Sequence, residues 1–334
     1  MEQTSLVTIG GGSGQFALLS GLRDKNLIDI TAVVSMVDSG GSTGRLRDEL
    51  GILPPGDILK CILALSPYHD VARTILLKRF TGDRRLKGHN AGNMLLTMLS
   101  RYTGSFPTGV RALAEILDAQ GTILPVTLVK ATLVAELTDG SRILGESAID
   151  IPRGNQREKI RDVYLVPHHH DAIAVYPPVV EAIEKADYIV LGPGDLFTSI
   201  IPNLVVPGVK EALQQTQAPL IYVINIMTKF GETHTYKARD FVATLEKCIG
   251  RQLDSIIYNT AKPDHALLKQ YERQKSEFVE IELSDPFWDH RTIIANDLLD
   301  TAGGVVRHDN HKLADLIIES ICNQKIKLVK PSSV

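Results

Sequence analysis

An apolar run, Ser5 to Gly10 (SLVTIG), passes directly into a glycine cluster and then into a helix from about Gly14. That helix carries Phe16, Leu19 and Leu22 on one face. A second apolar run, Ile30 to Val37 (ITAVVSMV), follows; it is rich in β-branched residues and reads as a strand. A strand, a helix and a strand in this order make two parallel neighbours joined by a right-handed crossover. This unit commits the chain to an α/β frame.

The alternation returns from Pro177 as helix PPVVEAIEKA, strand DYIVLG, helix VKEALQQ and strand PLIYVIN. A further helix, strand LDSIIYN and a last helix KLADLIIESIC complete it. Between the halves, TLVAELTDGSRILGESAI holds two alternating segments around Asp139-Gly140, a hairpin signature. The expected architecture is one domain over residues 1–330. It is a Rossmann-like three-layer sandwich with a mostly parallel sheet and a small antiparallel β insertion at about 122–165. Asp57 is expected to cap the helix carrying Ile58, Cys61, Ile62 and Leu65. Residues 66–87 read as a basic helical cover, and the tail KPSSV as frayed.

With 36 Lys plus Arg against 39 Asp plus Glu, the net charge is −3. No broad basic surface follows, which argues against nucleic acid as a partner. Cys61, Cys248 and Cys322 are far apart and show no metal-ligand spacing; Cys61 reads as a reduced core thiol. The start MEQTSLVTIGGG has neither the basic region nor the apolar run of a signal peptide, and no segment is apolar enough to span a bilayer. The expected location is the cytoplasm.

Polar and glycine residues collect after one strand end after another. Gly11, Gly12, Ser13 and Gly14 follow the first strand, and Asp38, Gly40, Gly41 and Ser42 follow the second. Gly192, Gly194 and Asp195 follow DYIVLG; Asn225 ends PLIYVIN, and Asn259 ends LDSIIYN. In an open α/β sheet these positions share one edge, where ligands bind. From Gly12 the first loop fits G-x-G-x-x-A, with Gly12, Gly14 and Ala17, which lets backbone N–H groups approach a diphosphate at a helix N-terminus. Asp38 stands where a dinucleotide site places an acid for ribose hydroxyls. The second loop adds hydroxyl and backbone donors and Arg45. His89 and Asn93 sit at another helix start, which either binds an anion or is simply capped around a structural histidine. Asp195 either holds a metal or sugar hydroxyl or caps the next helix. The run His168 to His170 reads as a polar loop rather than a metal site, because alternate strand residues face opposite sides. No metal site is expected.

The segments GGGSG, VDSGGSTGRLRDELGILPPGDILKCILAL and GHNAGN resemble the YvcK-type gluconeogenesis-factor family, which is related to the phospholactate transferase CofD. The resemblance continues through ILPVTLVKATLVAELTDG, GPGDLFTSIIPNL, MTKFGET and RHDNHKLA, from about residue 6 to residue 320. It implies a Rossmann-like sheet and, in one branch, a regulator binding a UDP-sugar, especially UDP-N-acetylglucosamine. That branch supports cell shape and wall synthesis during gluconeogenic growth. Its nucleotide site carries over to Gly11, Gly12, Ser13, Gly14, Asp38, Gly40, Gly41, Ser42, Gly192, Gly194 and Asn225. The other branch transfers a phospholactyl-type group from a guanine nucleotide to a deazaflavin, with an acidic cluster in the second loop. Here that loop has Ser39, Gly40, Gly41 and Ser42 after a single Asp38, which favours the regulator.

Three functions follow. A binding regulator needs an anion site and no catalytic base; no acid–base pair is evident beside the site, and no cofactor is required. A transferase would use Asp38 as base or metal ligand and Arg45 as phosphate clamp. A nicotinamide oxidoreductase would rest on Gly12, Gly14, Ala17 and Asp38, but no hydride-transfer constellation accompanies them. The expected ligands are a UDP-sugar, then GDP or NAD. The expected partners are a protein of cell-wall or carbon metabolism and a second copy of the chain in a homodimer.

Overall fold

The computed structural model describes residues 3–328 other than 83–85, 153 and 155. The tail KPSSV lies outside the described residues. The first unit is β1 (Thr4–Gly10), α1 (Gly12–Leu22) and β2 (Ile28–Val34). Helices α2 (Gly41–Leu50), α3 (Gly56–Leu65), α4 (His69–Leu76), α5 (Ala91–Tyr102) and α6 (Phe106–Ile116) precede β3 (Thr122–Pro125). The insertion comprises β4 (Ala131–Leu137), β5 (Arg142–Leu144), α7 (Glu146–Asp150) and β6 (Ile160–Pro167).

The frame resumes with α8 (Pro177–Lys185), β7 (Tyr188–Leu191) and a π-helical turn over Leu196–Ile200. Then come α9 (Ile201–Leu204), α10 (Val209–Gln215), β8 (Leu220–Val223), α11 (Ala238–Ile249), β9 (Ser255–Asn259), α12 (His265–Arg273) and β10 (Thr292–Asn296). A hairpin of β11 (Leu299–Asp300) and β12 (Arg307–His308) leads into α13 (Asn310–Leu328).

The main sheet has the order β10-β9-β8-β7-β1-β2-β3, with parallel neighbours throughout. Every residue of β7, β8 and β9 is buried. Successive strand residues face opposite sides, so helices cover both faces, and this is why these strands read as unbroken apolar runs. From β1 the chain builds outward through β2 and β3, then returns to build outward on the other side from β7. The strand order therefore reverses between β1 and β7. Loops leaving these two strands diverge, and a crevice opens above their carboxyl ends.

Helix α1 packs against α3 and α13. Leu18, Leu19 and Leu22 are fully buried there, each contributing about 1.5–3 kcal/mol relative to exposure. Gly21 is required at this contact, because a Cβ there would lie 2.0 Å from the Asn310 carbonyl oxygen.

The structure adjusts four expectations. Thr122–Pro125 joins the edge of the main sheet beside β2, so the antiparallel insertion is a three-stranded sheet, β5-β4-β6, spanning 131–167. β2 stops at Val34; Met36 and Val37 are buried by packing under the loop instead. Pro55 occupies the N-cap of α3, and Asp57 lies in its first turn, freeing that carboxylate for other partners. Of the basic stretch 66–87, His69–Leu76 is α-helical, and residues 83–85 lie outside the described residues.

Candidate functional site

The crevice between β1 and β7 opens into a cavity of about 450 Å³. Its floor is backbone. Gly11 is extended, and Gly12 turns the chain at a φ of 65°, a left-handed conformation that favours glycine. The N-cap Gly11 has no side chain to cap α1; Asp57 takes the Gly12 N–H, and Ser13 and Gly14 bring the rest of the first turn to the cavity. Gly14 abuts the loop after β7: an added Cβ would sit 2.3 Å from the Pro193 carbonyl oxygen. Asn203 pins this floor by donating from Nδ2 to the carbonyls of Gly10 (3.1 Å) and Ser199 (2.9 Å). Asn225 donates from Nδ2 to the Gly194 carbonyl at 3.0 Å, tying the end of β8 to the same loop.

Two groups of charges flank this floor. On the β2 side stand Asp38, Asp57, Lys60 and Glu146. Asp57 accepts from the Gly12 N–H at 2.9 Å and pairs with Lys60 at 2.8 Å. Asp38 accepts from the Gly40 N–H at 2.9 Å. Burial, then the Asp57 carboxylate, pushes the Asp38 carboxyl above its ordinary pKa. Burial, then Asp38, pushes Glu146 up to about 7. Glu146 accepts from the Ser39 N–H at 3.3 Å, so the insertion delivers this acid to the second loop.

On the β7–β8 side, Lys229 pairs with Asp150, with Asp195 at 2.7 Å and with Glu232 at 3.1 Å. Glu232 is fully buried and also accepts from the Thr198 hydroxyl at 3.2 Å. Burial, then Asp195, raises Glu232 to about 8. Burial opposes the charge on Lys229, but Glu232, Asp195 and Asp150 outweigh it and hold the ammonium protonated. The three carboxylates could converge on a metal, with ligand oxygens within 4.8 Å of one another. The Lys229 ammonium already pairs with all three.

Of the residues singled out in the sequence, Gly12, Ser13, Gly14, Ala17, Asp38, Gly194, Asp195 and Asn225 line the cavity. Gly11 and Gly192 are not lining residues but lead directly into Gly12 and Pro193, which are; Gly192 has a φ of 77°. Gly40, Gly41, Ser42, Arg45, His89 and Asn93 fall outside the cavity lining. The Ser42 hydroxyl and His89 Nδ1 are 2.9 Å apart, and Asn93 Nδ2 donates to Ser42 Oγ at 3.4 Å. Arg45 donates to the Lys87 carbonyl at 2.6 Å. This cluster braces α2 against α5, whose N-cap is Asn90. His89 thus stands beside the capped start of α5 rather than on the cavity. Asp195 makes no cap to the π-helical turn after it; its carboxylate goes to Lys229. His168, after β6, pairs with the Thr132 hydroxyl at 2.8 Å. Cys61 is buried, as expected of a core thiol.

Sequence reasoning missed Asp57, Lys60, Glu146, Asp150, Lys229, Arg307 and His308. Beside the site, where the sequence showed no obvious acid–base pair, the structure places the carboxyl groups of Asp38, Asp57 and Glu146. The available signal was GILPPGDILK and MTKFGET, where acids and lysines sit three residues apart, Asp57 with Lys60 and Lys229 with Glu232. Among the described residues no single helix is long and apolar enough to cross a membrane.

The family model for 2-phospho-L-lactate transferase CofD matches residues 6–299. A Thermotoga maritima protein is 40% identical over 318 residues, covering 93% of this chain and 98% of its own length. The gluconeogenesis factor of Bacillus subtilis is 35% identical, covering 95% of this chain and 98% of its own length. The crystal structure of protein BH3568 from Bacillus halodurans superposes with a TM-score of 0.88 at 34% identity, covering 95% of this chain and 100% of that one. Matched along nearly its whole length, the chain belongs to the gluconeogenesis-factor group of the CofD family.

Proposed function

We propose that this protein is a regulator that binds a nucleotide sugar, of which UDP-N-acetylglucosamine is the type, in the cavity between β1 and β7. The observation that carries the reading is that the first turn of α1, through Ser13 and Gly14, and Arg307 line the same cavity. Five carboxylates line the cavity, Asp38, Asp57, Glu146, Asp150 and Asp195, and they engage both of its lysines. Arg307 also lines it and forms no ion pair among the described residues. A guanidinium of this kind suits bidentate phosphate binding, with the N–H groups of α1 supplying the other donors. The curated relatives' designation as gluconeogenesis factors supports an output during gluconeogenic growth; we add that this output acts on cell morphogenesis and wall synthesis, through a protein partner and as a homodimer.

Calorimetric titration with UDP-N-acetylglucosamine, UDP, GDP and NAD tests this. Saturable binding of the UDP-sugar is expected, abolished by Gly12→Val, because valine is strained at that φ. Arg307→Ala should weaken it by roughly ten- to a hundredfold with folding stability unchanged. Undiminished binding in Arg307→Ala would refute the clamp.

A second reading draws on a specific observation. Glu146, raised to about 7 beside Asp38, has the character of a general base at neutral pH. A CofD-like transfer of a phospholactyl-type group from a guanine nucleotide to a deazaflavin would use such a group. Preference for GDP in the titration, or consumption of the nucleotide on overnight incubation, selects this reading. Nicotinamide chemistry has no comparable support.

A further inference from the structure

We infer that Asn225 and His308 form a pair of hydrogen-bond acceptors that reads donor groups on the organic head of the ligand. Both residues line the cavity. The Asn225 amide is oriented by its donation to the Gly194 carbonyl, which leaves Oδ1 as the free end. That oxygen is buried and has no partner among the described residues. The His308 ring lies against the backbone of Ile224, the residue before Asn225, which places the two side chains at one end of β8. Nε2 of His308 is buried and has no hydrogen-bond partner among the described residues. A neutral imidazole carries one lone-pair acceptor, and we give that role to the unpartnered Nε2. Burial keeps the ring neutral, with its pKa lowered to about 4.

Two buried acceptors without donors are costly in a folded protein and call for a partner. Phosphate oxygens are themselves acceptors and would be repelled here. The ligand is therefore polarised along the cavity. Its phosphates meet the N–H groups of α1 and Arg307, and its hydroxyl or N–H groups meet Asn225 and His308. The class that fits is a phosphate ester whose head carries at least two donors, rather than a bare phosphate or an acyl phosphate.

This inference rests on the phosphate-binding reading above, and the test separates the two. Wild type, His308→Phe and His308→Gln are titrated with UDP-N-acetylglucosamine and with inorganic pyrophosphate. His308→Phe should lose roughly ten- to a hundredfold in affinity for the nucleotide sugar while pyrophosphate binding is unchanged. His308→Gln, which keeps an acceptor oxygen, should retain most of the affinity. Equal effects on both probes, or none, overturn the inference and leave the phosphate site standing. Binding of neither probe by wild type overturns the phosphate reading and this inference with it. Should His308→Phe fail to fold, nitrogen NMR of wild-type His308 gives the answer. Nε2 should shift on adding the nucleotide sugar and stay put with pyrophosphate; no shift means the acceptor meets only water, and the inference falls.

Discussion

Replacing Lys229 by methionine keeps the aliphatic stem and removes the ammonium that pairs with Glu232, Asp195 and Asp150. Glu232 is within 1% of complete burial, whereas the side chains of Asp195 and Asp150 are 38% and 29% exposed. Breaking a fully buried pair costs about 3–5 kcal/mol. The two partly exposed acids remain screened by water and add little, so the lower end, about 3 kcal/mol, is the working figure. Unfolding entropy scales at about 2.1 cal/mol/K per residue, or roughly 0.7 kcal/mol/K for this chain, so the melting temperature should fall by about 4 °C.

The loss must depend on pH. With its folded pKa raised from 4.5 to about 8, Glu232 gives its stability contribution fully below 4.5, and that contribution is lost as pH rises through about 8. Without Lys229 the penalty for ionising Glu232 is larger still, so the gap between variant and wild type should be wide at pH 8 and narrow toward pH 5. Adding Glu232→Gln to Lys229→Met should recover most of the loss. Thermal denaturation followed by circular dichroism at the two pH values measures all three proteins. An unchanged melting temperature at pH 8, or a gap that widens at pH 5, would refute the reasoning.

Gly14→Ala should destabilise by about 1–3 kcal/mol through overpacking against Pro193, although alanine alone would favour the helix by about 1 kcal/mol; denaturant unfolding that shows a gain instead would disprove the close approach. Glu146→Gln tests the second loop. The wild-type contribution of Glu146 is present below pH 4.5 and lost as pH rises through about 7, so the variant should be the more stable protein above neutrality, by about 1–2 kcal/mol after allowance for screening. The same substitution should flatten the decline of anion binding between pH 6 and 8, read by calorimetry, since the ionised Glu146 adds negative charge to the cavity.

The β1–α1–β2 unit was legible in the sequence because parallel strands buried on both faces must be continuous apolar runs, and because only glycine suits Gly12 and Gly14. The family, too, was legible, in motifs spread from residue 6 to residue 320. The short edge strands were not. Thr122–Pro125 and Thr292–Asn296 acquire their character from a neighbouring strand rather than from their own four or five residues.

The backbone floor of the cavity thus follows from local conformation, which a sequence encodes directly. The charge arrangement of the cavity does not. Glu146 and Asp150 come from the insertion, Lys229 from the loop after β8, and Arg307 and His308 from a hairpin near the end of the chain. Whether an acid is a helix cap, like the role expected of Asp57, or a partner of a distant amide, like the role it has with Gly12, depends on what folding brings within hydrogen-bond reach. Burial then sets the charge of Glu146, Glu232 and His308. Burial belongs to the tertiary structure, and that is where the chemistry of this site was decided.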